Sequence, residues 1–346
     1  MNFYPMDGRR LMMSAKPKHQ ICLVVFITAA LSSCGFIDNM CLILGGPPPD
    51  SATDPVYFNA PDILTIKLNE TVVTHEVIIL RPEKGGVDPK PVLLLHELPG
   101  LTPKTLDFGN YLKSRNFTVY IPILFGKANQ NSFFSGTWNY FTNGEWRSTY
   151  DISIQYRYHD QTQTEEIRGA TVLIHQWLRA LVKQIEVENP KRSIGVIGMC
   201  LTGAVPLALL DNPHITRVVL AQPTLPVMFW GTEHDKRALA LSDVEHEIAR
   251  KRGKTGVVGV LGIRFRDDLI SKSEKFESVE EIFHKNFQLR EMTDYRYRVN
   301  DTSDEMVRIR PTAHSTLVGE WIKGHANHPS NTMREEVVEF LQHNIN

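Results

Sequence analysis

Short apolar runs of strand length, separated by segments of helix length, constrain the fold of this chain more than any other feature. Residues 91–96, Pro-Val-Leu-Leu-Leu-His, form a continuous apolar run of the kind found in strands buried on both faces. Residues 117–123, 193–197, 217–221 and 257–265 read as further strands, and 306–310 as a last one. Helical patterns lie at 105–115, 165–188, 243–251, 278–284 and 333–343. Thr102 is placed to cap the first of these, with Pro103 at its start. Ser242 and Glu245 have the spacing of a capping box. The 165–188 segment carries an apolar stripe of Ile167, Val172, Ile174, Trp177, Leu178, Leu181 and Ile185. Ahead of these elements, residues 63–68 and 72–80 read as an antiparallel hairpin around Asn69-Glu70. Strands alternating with helices predict an α/β fold, a doubly wound and mainly parallel sheet flanked by helices. A single domain over residues 55–346 is expected.

Composition narrows the classes of function. The 346 residues include 42% hydrophobic and 22% charged positions, ordinary for a globular protein with one large core or two smaller ones. A formal net charge of −1 supplies no electrostatic basis for holding nucleic acid. Of the four cysteines, Cys22, Cys34 and Cys41 fall in the first 41 residues and only Cys200 in the expected domain. That distribution is not a disulfide framework, and no CxxC pair offers a metal site. No metal or organic cofactor is implied.

The first residues read as a targeting segment. Arg9, Arg10, Lys16 and Lys18 precede the uncharged, mostly apolar run 21–31, which has the length of a signal-peptide core rather than a membrane span. Leu31-Ser32-Ser33-Cys34 follows and resembles a bacterial lipobox, in which the cysteine is lipidated and becomes the mature N-terminus. An ordinary secretory signal with a chance cysteine is the alternative. On the lipoprotein reading, residues 1–33 are the signal peptide, Cys34 is the lipidated residue, and 34–54 form a tether that includes Gly45-Gly46-Pro47-Pro48-Pro49-Asp50. Gly35 follows the cysteine in place of an aspartate retention signal, so the expected location is the outer membrane, facing the periplasm. Met12 and Met13 are alternative starts.

The segment with most chemical content is 193–203. Its apolar run leads straight into Gly198-Met199-Cys200-Leu201-Thr202-Gly203, and a helical stretch at 204–210 follows. Strand, tight turn and helix, with small residues around a central nucleophile, is the layout of a nucleophile elbow. Such a turn strains its central residue, and the neighbours must be small for strand and helix to pass closely. Gly198 and Gly203 meet that need, whereas Thr202 stands where elbows often carry glycine. A helix N-terminus aimed at the sulfur favours the thiolate. A buried core cysteine is the alternative reading of Cys200.

A thiol elbow needs a base, a group that orients the base, and donors for an oxyanion. In doubly wound sheets such groups gather at the carboxyl ends of strands. Arg266-Asp267-Asp268 closes the strand at 257–265, and Ala313-His314-Ser315 follows the strand at 306–310. The order Cys200, Asp268, His314 is the nucleophile–acid–base order of α/β hydrolases. Upstream, His96-Glu97-Leu98 ends the first buried strand, so the amides of Leu98 and Leu201 are the expected oxyanion donors.

Four co-linear stretches now resemble the dienelactone hydrolase family, from about residue 60 to the C-terminus. They are Leu93-Leu94-Leu95-His96-Glu97-Leu98-Pro99-Gly100, Gly198 to Gly203, Ile263-Arg264-Phe265-Arg266-Asp267-Asp268, and Ala313-His314-Ser315. The resemblance implies an α/β-hydrolase fold, with Cys200 as nucleophile, His314 as base and Asp268 as the acid that orients it. It also implies that Glu97 sits beside the thiol and takes its proton when substrate binds. Asp268 is preferred over its neighbour Asp267 by its place in the motif.

Two features bear on substrate. The family places a carboxylate-binding arginine four residues after the histidine, where this chain has Val318; Arg147, Arg264 and Arg266 are the candidate replacements. The stretch 126–160 lacks a clear period and carries Phe133, Phe134, Trp138, Tyr140, Phe141 and Trp146, which either line a wider apolar pocket or pack over the sheet. The expected activity is hydrolysis of a small-molecule ester or lactone. A cysteine peptidase or amidase on the same scaffold, or a non-catalytic envelope lipoprotein, are the alternatives.

Overall fold

A computed structural model describes residues 62–68, 71–83, 88–98, 100–125, 173–225, 236–293, 295–298, 305–309, 313–321, 325 and 327–343. The chain divides into a unit Met1–Leu42 and a unit Ile43–Asn346, and every described residue lies in the second. The expected leader, Cys34, the tether, Arg147 and the aromatic stretch 126–160 lie outside the described residues.

Among the described residues, eight strands form one sheet. β1 (Asp62–Leu68) and β2 (Thr71–Leu80) pair antiparallel, with Asp62 opposite Val77 and Leu68 opposite Thr71. β2 pairs antiparallel with β4 (Phe117–Pro122), which lies parallel to β3 (Lys90–Leu95). β3, β5 (Ile194–Met199), β6 (Ile215–Ala221), β7 (Gly259–Phe265) and β8 (Phe287–Met292) continue in parallel. The order β1-β2-β4-β3-β5-β6-β7-β8, with β2 alone running against the rest, is the α/β-hydrolase fold.

The sequence explains why the central strands read as unbroken apolar runs. Val92, Leu94, Ile197, Met199, Val219, Leu261 and Ile263 pack into one core with Leu106, Phe108 and Leu112 of α1 (Pro103–Ser114) and Val337, Val338 and Leu341 of α6 (Pro329–Gln342). The intervening Leu93, Val196, Val218, Leu220 and Val260 are buried as well, and the two-residue period of a strand turns them to the opposite face. With both faces covered, neither set alternates with polar residues.

Capping behaves as expected. The Thr102 hydroxyl accepts from the Thr105 amide at 3.2 Å, with Pro103 in the first turn of α1. Ser242 and Glu245 form a reciprocal capping box at the start of α4 (Asp243–Thr255). α2 (Leu173–Glu188) is the described part of the predicted 165–188 helix, and residues 165–172 lie outside.

Three expectations are corrected. The helix predicted at 204–210 is only a four-residue piece, α3 (Val205–Ala208), because the chain beyond it closes in i→i+3 turns, with the Leu209 amide donating to the Pro206 carbonyl at 3.3 Å. The strand predicted at 306–310 is β10 (Met306–Arg308), which leaves the main sheet and pairs antiparallel with β9 (Arg296–Arg298). The sheet ends instead on β8, unpredicted because Phe-Gln-Leu-Arg-Glu-Met is a half-exposed edge strand without an apolar run. α5 (Ser273–Phe283) also starts five residues before the predicted 278, with Lys275 buried in its first turns.

Candidate active site

The strand order reverses direction at β3, and the crevice beyond the carboxyl ends of β3 and β5 is where ligands of open α/β sheets bind. Cys200 stands at this point. It follows β5 directly, opens a 3-10 turn over Cys200–Thr202, and has φ of 54°, in the left-handed region that non-glycine residues seldom occupy. Two neighbours make the turn possible. A Cβ on Gly198 would meet the Thr202 carbonyl oxygen at 2.2 Å and Pro206 Cδ at 2.7 Å, and one on Gly203 would meet Pro223 Cα at 2.5 Å.

Thr202, the residue out of pattern, holds the elbow. Its hydroxyl accepts from the Met199 amide at 3.0 Å. Its own proton faces the carbonyls of Leu95 and His96 at 3.2 Å, tying the elbow to the end of β3. On the other side of that strand end, neutral His96 accepts from the Leu124 amide through Nε2 at 3.0 Å and donates from Nδ1 to the Glu97 carbonyl at 3.2 Å. Burial holds its pKa down to about 4.

His314 and Asp268 meet although 46 residues separate them. His314 Nδ1 donates to Asp268 Oδ2 at 2.6 Å, and both side chains are buried. Asp268 Oδ1 accepts from the amides of Ile270 and Ser271 at 2.8 and 3.0 Å, which fixes the carboxylate. Burial pushes the His314 pKa down, but Asp268 and Cys200 outweigh it and hold the imidazole well above its usual value. Its Nε2 is buried and has no hydrogen bond of ordinary geometry. Asp267 points elsewhere: it is half exposed and lies 3.5 Å from Arg266 Nε.

Glu97 is buried beside this arrangement, yet its hydrogen bonds go to residues other than Cys200. Ser315 Oγ donates to Glu97 Oε1, and Gln222 Nε2 donates to Oε2 at 3.1 Å. Burial raises the Glu97 pKa above the usual carboxylate range, against the opposing pull of Ser315, His314, Gln222 and Lys104. Thr316 donates its amide and hydroxyl to Gln222 Oε1. One polar network thus links the end of β3, the turn after β6 and the turn that carries His314. Lys104 Nζ donates to the Gly319 carbonyl at 2.7 Å and Arg334 Nε to the Leu317 carbonyl at 2.7 Å, bracing the same turn.

Leu98 and Leu201 are buried, and each lies three residues beyond a position in the β3–β5 register pair Leu95–Gly198. Their turns are therefore side by side. The substrate arginine has no counterpart among the described candidates. Val318 belongs to the core. Arg264 donates to the carbonyls of Phe265, Arg266 and Asp268, so its guanidinium clamps the turn bearing Asp268. Arg266 is 55% exposed.

Gln222, Thr224 and Lys104 were not legible as site residues, since single polar side chains carry no pattern, and Ser315 entered only as the last residue of the Ala313-His314-Ser315 stretch. A strained backbone is the signal for one of them: Gln222 has φ of 37°. Among the described residues no group of three or more His, Cys, Asp or Glu is placed to hold a metal ion. A cavity of about 550 Å³ opens at the opposite ends of the strands, lined by Arg217, Gln288, Arg290 and Phe340, away from Cys200.

No family model and no curated protein matches the sequence. Solved structures match at the level of coordinates. One is a dienelactone hydrolase from Klebsiella pneumoniae, 13% identical, covering 82% of this chain and 100% of that one with a TM-score of 0.48. An esterase from Pyrococcus furiosus is 13% identical over 82% of this chain and 91% of its own, at a TM-score of 0.45. A dienelactone hydrolase-like promiscuous phosphotriesterase from metagenomic libraries is 16% identical over 82% and 99%, at 0.44. The fold assignment rests on the strand order of this chain.

Proposed function

We propose that this protein is a hydrolase that cleaves a small-molecule ester or lactone through Cys200. The observation that carries this reading is the His314–Asp268 pair, 2.6 Å apart and buried, with the imidazole beside Cys200, a cysteine in strained elbow geometry.

The thiol gives its proton to His314 Nε2, and the thiolate attacks the carbonyl carbon. The oxyanion that forms is received by the amides of Leu98 and Leu201; losing one such donor typically lowers turnover by about 10²–10³. Imidazolium then protonates the leaving alkoxide as the carbon–oxygen bond breaks and a thioester remains. His314 next removes a proton from water, hydroxide adds to the thioester, and the acid leaves as the sulfur is released. Asp268 accepts from Nδ1 and holds the ring in its tautomer. In a lactone the alkoxide stays tethered to the acyl group. Nothing in this sequence of steps calls for a metal or organic cofactor.

The test is hydrolysis of a short p-nitrophenyl ester by the full chain and by Cys200→Ala. Activity lost in the variant supports the reading, and equal activity in both removes Cys200 as nucleophile. Lipid attachment at Cys34 and residence in the outer membrane facing the periplasm belong to the same proposal, supported by the basic leader, the apolar run and Leu31-Ser32-Ser33-Cys34.

A further inference from the structure

The turn after β6 brings a hydroxyl to the sulfur that the steps above leave unused. Thr224 is 1% exposed, its amide donates to the Cys200 carbonyl at 3.0 Å, and its Oγ1 lies 3.8 Å from Cys200 Sγ. That turn is fixed from both sides. Before Thr224, the Gln222 amide donates to the Ile263 carbonyl at 2.7 Å and its side chain is held between Glu97 and Thr316. After it, the wholly buried Lys275 donates to the Leu225 carbonyl at 3.3 Å and to the Ala238 carbonyl at 3.0 Å. The backbone that carries the hydroxyl is therefore held against the elbow.

We propose that Thr224 is a further catalytic residue: its hydroxyl donates to Cys200 Sγ and stabilises the thiolate. The inference rests on the reading of Cys200 as nucleophile. The need for such a donor follows from two features of the elbow. The sulfur belongs to a residue only 2% exposed, so water does little to solvate an anion there. The helix behind it has four residues, too few for the macrodipole that a longer elbow helix supplies. A hydrogen bond to a charged acceptor is stronger than one to a neutral acceptor, so it favours the ionised form. The proton balance is unchanged: the thiol proton goes to His314 Nε2, and the hydroxyl proton stays on Thr224 Oγ1 while bonded to sulfur.

The test is a pH titration of thiolate ultraviolet absorbance in the full chain, with the Cys200→Ala titration subtracted so that only Cys200 is read. The other charged groups of the site are His314, Asp268 on the turn after β7, Glu97 after β3 and Lys104 on α1. Thr224→Val keeps all of them and nearly keeps the side-chain volume. It is expected to raise the Cys200 midpoint by about one pH unit, a tenfold change equivalent to about 1.4 kcal/mol, whereas Thr224→Ser restores the midpoint. An unchanged midpoint in Thr224→Val, or a raised one in Thr224→Ser, overturns the inference. Ester turnover in the same proteins separates it from the hydrolase reading. A shifted midpoint in a chain without esterase activity keeps the thiolate donor and overturns the reaction. Cys200-dependent turnover with an unshifted midpoint does the reverse.

Discussion

Asp267 and Asp268 are chemically alike and adjacent in sequence, and the turn after β7 sends their side chains to different places. Asp268 receives His314 and two backbone amides, while Asp267 meets solvent and Arg266. Asp268→Asn should lower ester turnover by about 10²–10⁴ with the fold retained, because the ring loses the acceptor that sets its tautomer; Asp267→Asn should leave turnover unchanged. Comparing kcat for the two variants checks this directly, and equal losses would dissolve the assignment. The elbow makes a second prediction at this scale. Gly198→Ala places a Cβ 2.2 Å from the Thr202 carbonyl oxygen, a backbone atom that has no rotamer to move into. Strain of this kind should cost about 1–3 kcal/mol, read as a loss in urea midpoint. The need for small residues around Cys200 was visible in the sequence; the role of Thr202 as a fastener between two strand ends was not.

The element that ends β3 is held together by groups whose charge matters. His96 accepts a backbone hydrogen bond through Nε2, which only the neutral ring can do. Its folded pKa of about 4 lies below the ordinary 6.5, so between these values the unfolded chain binds a proton that the folded chain refuses. Stability must then fall as pH drops from 6.5 toward 4, at up to about 1.4 kcal/mol per pH unit from this group. Chemical denaturation at several pH values should show that slope, reduced in His96→Gln. Lys275, in the first turn of α5, gives the complementary case in the alkaline range. Burial lowers its pKa from 10.5 to about 7, so from pH 7 to about 10 the unfolded chain holds the extra proton and folding gains as pH rises. Lys275→Met should abolish that gain; an unaltered alkaline slope would show that the amine keeps its proton in the folded chain. The start of α5 escaped the sequence pattern for a related reason: a lysine in a first turn ordinarily marks an exposed face, and here it faces inward.

At the scale of the whole molecule, no helix among the described residues is long and apolar enough to cross a membrane. The proposed attachment through Cys34 makes a separate prediction: in a lipoprotein-processing bacterium the full chain should fractionate with membranes, and Cys34→Ser should move it to the soluble fraction. Recovery of both proteins in the soluble fraction would refute the anchor. The sequence by itself determined the parallel centre of the sheet, because strands buried on both faces must be apolar at every position, and it determined the elbow, because only small neighbours permit that turn. Residue order alone also brought Cys200, Asp268 and His314 into one list of candidates. Tertiary structure decided the rest. It paired His314 with Asp268 rather than Asp267, replaced the last predicted sheet strand with β8, and directed Glu97 to Ser315 and Gln222. It also committed Arg264 to the turn after β7 and set Thr224 against the sulfur. These outcomes depend on contacts between residues up to 218 positions apart, as for Ser315 and Glu97. A local pattern records which face a residue turns, and the partner waiting on that face exists only once distant strand ends have been brought side by side.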